Sequence, residues 1–291
     1  FGRPPTDGWV RGHSLPSSAE AARELAGRLQ SVQNSDVSLP EASQYTSLIE
    51  GATALYERLS DLYGGDYRPT VLHRFLAELP GRLRAKGYPA NVERRYVIFT
   101  LALDDMLERA FSEVGQPYHL FAFCQRRADE NGVMLPGHFI HVPPGGDAIS
   151  VMTPNDYTGH DGDQFPIVVK LSGRRLTPEP DSVLVTEDQY LEYLPAQEIG
   201  ALLPATLLRQ INRRSFLFFG YSLQPWHFRL LWQRMRYQKR QLHDRSWAVV
   251  PDLNTIEREF WRSHNIVPII AAPEGVVAYA NEWLNRLEAG A

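Results

Sequence analysis

Three short stretches carry residue types that could do chemistry, and each follows an apolar run. Asp104 and Asp105 come after YVIFT at 96–100. Ser172 and Gly173 come after PIVVKL at 166–171. Gly220 and Ser222 come after FLFF at 216–219. An apolar run of this length reads as a strand buried on both faces, as in a parallel sheet. Open α/β sheets build their sites at the carboxyl edge of such strands. Gly220 allows a tight turn or a close approach to the backbone. Ser222 and Pro225 suit the start of a helix that Trp226, Arg229, Leu230, Gln233 and Met235 continue. The stretch is neither a Walker motif nor GxGxxG.

Each residue also has a plainer reading. Asp104 and Asp105 sit near a helix start, where exposed amides favour a carboxylate. They cap the helix or meet a nucleotide, one facing the strand-edge crevice and the other solvent. Lys170 is unusual inside a strand; it snorkels to an edge or meets a phosphate. Ser172 has no local base and no G-x-S-x-G setting, which argues against a hydrolase nucleophile. His138 and His141 lie among Pro136, Gly137, Pro143 and Pro144, which disfavours a helix. On a strand they face opposite ways, so a shared metal is disfavoured too. His13, His73, His119, His160, His227, His243 and His264 stand alone and read mostly as surface or satisfied structural groups. Trp226, Phe228, Trp232 and Tyr237 read as core packing rather than a stacking platform.

The elements that must position these residues follow from pattern. Residues 1–18 are rich in Gly, Pro and Ser and read as loop. Ser17 or Ser18 caps a helix from Ala19 to Gln30, with Ala22, Leu25, Ala26 and Leu29 on one face. A second helix is predicted over 41–62. A third spans 67–83, opened by Pro69 and closed around Pro80. Strands are predicted at 96–100, 118–123, 166–171, 216–219, 247–250 and 266–270, with helices after most of them. Residues 124–165 read as a long irregular insertion or lid. The pattern predicts an α/β fold: a Rossmann-like, mostly parallel sheet with helices on both faces. A helical portion (1–95) precedes the core (96–291), and the whole reads as one domain.

Composition narrows the classes. The chain has 291 residues, 43 % hydrophobic and 22 % charged, with a net charge of -4. A sequence pI near 6.2 gives no support for a nucleic-acid surface. The lone Cys124 excludes an internal disulfide framework and a cysteine-rich zinc site. With no apolar stretch approaching a spanning length and no signal peptide, a cytoplasmic location is expected. The opening Phe1-Gly2-Arg3-Pro4-Pro5 has no starting methionine, so residues ahead of it are expected as well.

Taken in order, these stretches resemble SIR2-like domains, sirtuin relatives found in bacterial antiphage systems. YVIFTLALDDMLERAF resembles the family's T-x-N-x-D block and the helix after it. HFIHVPPGG with TPNDY resembles its middle section, and VVKLSG its K-L-H-G block. SVLVTEDQYLEYL resembles the next element. FLFFGYSLQPWHFRLL resembles its G-[TY]-S-L nucleotide loop, and SWAVV with IEREFW closes the pattern. The resemblance covers nearly the whole chain. It implies a fold that binds NAD between the sheet and a smaller insertion. Active members either deacylate lysine at the expense of NAD or hydrolyse NAD to nicotinamide and ADP-ribose.

Carried over by position, Thr100 opens T-x-N-x-D and Asp104 is its aspartate, expected near the nicotinamide. Gly220 and Ser222 match the loop that holds ribose and phosphates. The two catalytic positions differ: Ala102 stands for the family asparagine, and Ser172 for the family histidine. Alanine has no polar group to order water, and serine is no base near pH 7. The glycine-rich loop that cradles the pyrophosphate has no counterpart. The resemblance thus implies NAD as ligand and, in active members, as substrate. Three accounts of this chain stay open: a natural pseudo-enzyme, an engineered knockout, or a base elsewhere than 172. Deacylation is the weaker activity, since sirtuin deacylases usually carry a four-cysteine zinc module. The alternative class is a non-catalytic assembly module: a homo-oligomer or larger defence assembly with a partner protein, in contact through 226–237 and 124–165. No nucleic-acid or membrane partner is expected.

Overall fold

A computed structural model describes residues 9–29, 37–88, 95–124, 127–128, 134–135, 137–173, 183–196, 203–212, 214–222, 225–229, 232 and 245–287. The first helices begin where the sequence supplies caps. In α1 (Ser18–Ala26) the Ser17 hydroxyl accepts from Glu20 N, and the Glu20 carboxylate accepts from Ser17 N at 2.8 Å. Ser38 and Glu41 repeat this at 2.8 Å ahead of α2 (Leu39–Glu50). Each box satisfies two amide donors near the helix start. Ser17→Ala or Ser38→Ala is therefore expected to lower stability by about 1 kcal/mol, read as a fall in the urea midpoint.

The single helix predicted over 41–62 is two. α2 and α3 (Ala52–Tyr63) meet at Gly51, whose φ of 92° few side chains tolerate. α4 (Val71–Ala85) continues past Pro80, where the sequence predicted its end. A proline removes one backbone donor from a helix. Here Leu72, Phe75, Leu79 and Leu83, packed on Val277 and Leu284, hold the turns on either side.

The main sheet comprises β1 (Val97–Thr100), β2 (His119–Cys124), β5 (His138–Val142), β6 (Ile149–Val151) and β7 (Ile167–Lys170), in the order β1-β7-β2-β5-β6. β1, β7 and β2 run parallel, and β5 and β6 continue the sheet antiparallel. A hairpin of β3 (Arg127–Ala128) and β4 (Met134–Leu135) stands apart. Side chains alternate along each strand, so one apolar run feeds two layers. Ile98, Leu120 and Val168 pack on α4 and on Leu107, Ala110 and Phe111 of α5 (Met106–Glu113). Phe121, Ile167 and Val169 pack the other way, with Tyr190 of α6 (Glu187–Ala196) and Leu207 of α7 (Ala205–Asn212).

A second parallel sheet holds β8 (Leu217–Phe219), β9 (Ser246–Val250) and β10 (Ile266–Ile270), in the order β10-β9-β8. α8 (Thr255–Ser263) packs Trp261 against Ala248 and Val250. Phe219 faces the α4 contact with α9 (Pro273–Arg286). The mixed α/β architecture with mostly parallel sheets is the predicted one. Among the described residues no helix is long and apolar enough to cross a membrane.

Two expectations need correction. The segment 124–165 is not simply irregular, because β5 and β6 extend the main sheet and bury Phe139, Ile140 and Val151. FLFF is not buried on both faces. Leu217 is 53 % exposed, and Phe218 and Phe219 are partly so; among the described residues β8 pairs on one edge only. Of the predicted helix from 226 onward, residues 226–229 and 232 are described; Leu230, Gln233, Met235 and Tyr237 lie outside the described residues. Phe228 and Trp232 are buried core, as the plainer reading held.

At the amino ends of β1, β2 and β7 lies a buried polar network. His119 Nε2 lies 2.9 Å from Asp163, and its Nδ1 2.8 Å from His141 Nε2. His141 Nδ1 meets the Tyr157 hydroxyl at 2.6 Å. His160 Nε2 meets Thr206 at 2.9 Å, and Arg95 donates to the His160 carbonyl at 2.5 Å. His119 and His160 are thus members of a cluster, not the lone groups the sequence suggested.

Candidate functional site

The carboxyl ends of β1 and β8 open onto a cleft of about 1890 Å³. Thr100, Ala102 and Asp104 line it from one strand, and Gly220 and Ser222 from the other. His13 to Glu20, leading into α1, line it as well. Five of the six predicted site residues therefore share one hollow.

Local bonds shape each wall. Thr100 Oγ1 accepts from Ala102 N at 3.0 Å and tightens the turn after β1. Asp104 Oδ1 accepts from Met106 N at 3.0 Å, so it helps open α5 while lining the cleft. Asp105 pairs with Arg109 at 2.9 Å. The Asp104 charge is felt around it. It adds to the burial that pushes the Tyr63 phenol up, and opposes the burial that pushes His73 down.

Lys170 neither snorkels nor faces a free phosphate site. It is 1 % exposed, pairs with Glu108 at 2.8 Å and donates to the Asp104 carbonyl at 2.5 Å. Its strand position turns it toward α5, where the acidic partner waits. It thereby fixes the backbone that presents Asp104.

On the opposite wall, Gly220 has a φ of 69°, so a side chain there would be strained. The next residue, Tyr221, reaches back to β1. Its hydroxyl accepts from Leu101 N at 3.0 Å, and its ring stacks on Phe228 at 4.7 Å. Tyr221→Phe is expected to lower stability by about 1–2 kcal/mol, because it strips the partner from a half-buried amide. Thermal unfolding measures it; an unchanged midpoint would show that solvent replaces the bond.

Ser172 is the predicted residue that does not join the others. It is 1 % exposed and does not line the cleft, though the Tyr190 phenol beside it does. Leu171, Tyr190 and His227 line the cleft near it. The Tyr190 and His227 rings lie 4.8 Å apart. Burial pushes His227 down to about 4, so its imidazole is neutral at pH 7. Tyr190, His227 and His73 were missed as site residues, because nothing local in the sequence marks them. Tyr221 had a signal in its place between Gly220 and Ser222.

A family model described as a SIR2-like domain matches residues 96–269, more than half of the chain. The chain belongs to the SIR2-like family. The matched span holds both walls of the cleft, Thr100 to Asp104 and Gly220 to Ser222. SIR2-like domains bind NAD in general, so membership carries an NAD-related function with it. Helices α1 to α4 lie ahead of the matched span. No curated protein matches the chain.

Proposed function

We propose that this SIR2-like protein binds NAD in the cleft between the ends of β1 and β8 and, as written, hydrolyses it poorly or not at all. The supporting observation is that Thr100, Ala102, Asp104, Gly220 and Ser222, from two strand ends, line one hollow. Gly220, in its left-handed conformation, lets the dinucleotide approach the backbone. The Ser222 hydroxyl and Thr100 offer hydrogen bonds to ribose and phosphate oxygens. The Asp104 carboxylate accepts from the carboxamide of the nicotinamide.

Hydrolysis adds a water oxygen to the ribose carbon as the bond to nicotinamide breaks, and the water must lose a proton. Ala102 presents only a methyl group. Ser172 is buried, does not line the cleft and is no base near pH 7. We therefore place the chain, by resemblance, beside the NAD hydrolases of antiphage defence as a binder rather than an efficient catalyst, working in the cytoplasm. Calorimetry with NAD, beside a nicotinamide-release assay, tests this. Binding without appreciable release is expected. No heat at millimolar NAD rejects the binding, and rapid release rejects the inactivity.

A second reading, a self-assembling module, rests on a different surface. β10 ends its sheet with Val267, Ile269 and Ile270 at 38, 41 and 59 % exposure. Tyr279 and Trp283, one turn apart on α9, are 72 and 51 % exposed. The contact expected at 226–237 does not support it, since Phe228 and Trp232 are buried. Mass measurement in solution decides: a strict monomer removes this reading.

A further inference from the structure

His73 sits in the first turn of α4, ahead of the span that the family model matches. It lines the cleft together with Tyr63, Thr70 and Asp104. One of its ring nitrogens is already engaged. Thr70 N donates to Nδ1 at 3.2 Å, closing a capping box at the start of the helix. The Thr70 hydroxyl lies 2.8 Å from the same nitrogen. An amide N–H can only donate, so Nδ1 is an acceptor and carries no proton. In the neutral ring the proton is then on Nε2. Among the described residues Nε2 has no hydrogen-bond partner.

Asp104 is half engaged in the same way. Its Oδ1 accepts from Met106 N at 3.0 Å, and among the described residues its Oδ2 has no partner. The nearby cations are taken: Lys170 by Glu108 and the Asp104 carbonyl, Arg109 by Asp105. Burial pushes His73 down and the Asp104 charge opposes it, so the two lie close, yet no hydrogen bond joins them. One donor and one acceptor therefore share the cleft wall with a gap between them. Helix capping alone does not call for a histidine. Glu or Gln is the usual third residue of a capping box. A glutamate here would add a carboxylate to a wall where burial, Asp104 and Glu20 already push the Tyr63 phenol up. Histidine caps with one nitrogen and keeps an N–H on the other.

We propose that His73 is a specificity-determining residue of the cleft, donating from Nε2 to the oxygen of a carboxamide whose N–H is accepted by Asp104. A primary amide carries an acceptor and a donor on neighbouring atoms, and this pair of side chains matches both. A carboxylic acid in the same place offers acceptors only and sets its charge against Asp104, so the cleft rejects it. This role rests on NAD being the ligand, as proposed above. It makes the cleft select the amide form of the dinucleotide over the acid form, through a residue that lies outside the matched span.

Calorimetry with three titrants tests it: NAD, the same dinucleotide carrying nicotinic acid, and ADP-ribose, which lacks the ring. The parent protein is expected to bind NAD roughly 30-fold more tightly than the acid form. His73→Leu is expected to weaken NAD roughly 10-fold and to leave ADP-ribose within about twofold. Equal affinity of the parent for the amide and acid forms overturns the proposal. So do equal losses for NAD and ADP-ribose in the variant, or no loss for NAD, since His73 would then only start α4. With NAD and ADP-ribose both bound by the parent, those outcomes leave the NAD reading standing; a parent that binds neither removes that reading and this role together. Should His73→Leu not fold, the imidazole of the parent gives the readout by NMR. NAD is expected to move the His73 Nε2–H resonance downfield and ADP-ribose to leave it in place; a resonance that NAD does not move overturns the proposal.

Discussion

Acidification from pH 7 to pH 4 is expected to unfold the protein, and the buried imidazoles at the amino ends of the strands are the main cause. His119, His141 and His160 are 2, 0 and 0 % exposed. Burial pushes His141 down to about 3, with repulsion from His119 and His160 adding and Asp163 opposing. Burial pushes His160 down to about 4, with Asp161 and Asp163 opposing and Arg95 and His119 adding. His119 is lowered as well, by burial first, against its bond to Asp163. Tyr157 and Thr206 face the cluster as neutral partners.

The sign follows from linkage. In the unfolded chain these imidazoles titrate near 6.5, whereas in the fold they resist protonation. Their contribution is fully present above pH 6.5 and is lost as pH falls toward the folded values of about 4 and 3. For His141 alone the loss is on the order of 4 kcal/mol. Part of the His141 and His160 shifts is repulsion from neighbouring imidazoles, so the separate losses do not add. Even one is a large share of a typical stability of about 5–15 kcal/mol. Urea unfolding at a series of pH values measures it. A free energy that stays flat between pH 7 and pH 4.5 would show that the cluster opens to water.

The second large effect is expected at Lys170. Lys170→Ala would leave Glu108 without its buried partner and the Asp104 carbonyl without a donor. Breaking a buried pair from one side costs about 3–5 kcal/mol, most of it the penalty of the stranded charge. Replacing both partners, as Lys170→Met with Glu108→Leu, is expected to recover most of that loss, because nothing charged is left buried. The double variant therefore separates stability from site geometry. It should fold nearly as well as the parent yet bind NAD more weakly, since the Asp104 backbone loses its anchor. A loss below 1 kcal/mol in Lys170→Ala would mean that water already reaches the pair.

Much of the architecture was legible because it depends on short-range pattern. Ser17-x-x-Glu20 starts a helix by satisfying amides three residues away, and IVVK alternates into two layers without help from distant sequence. The ends of β1 and β8 were legible as cleft walls for the same reason: Asp104 and Gly220 closely follow their strands. Gly51 and Pro80 misled. Whether a glycine breaks a helix, or a proline fails to, depends on what the flanking turns pack against.

The sequence by itself determined the α/β alternation and the family, because each is written in neighbouring residues. Tertiary structure alone decided three things. It paired Lys170 with Glu108, 62 residues away, where the sequence allowed an edge or a phosphate. It gathered His119, His141, His160 and Asp163 into one network. It left Ser172 off the cleft lining and brought the ends of β1 and β8, each with one strand partner among the described residues, to the same cleft. All three depend on which strand lies beside which, and strand order is fixed by the packing of whole layers rather than by any local run.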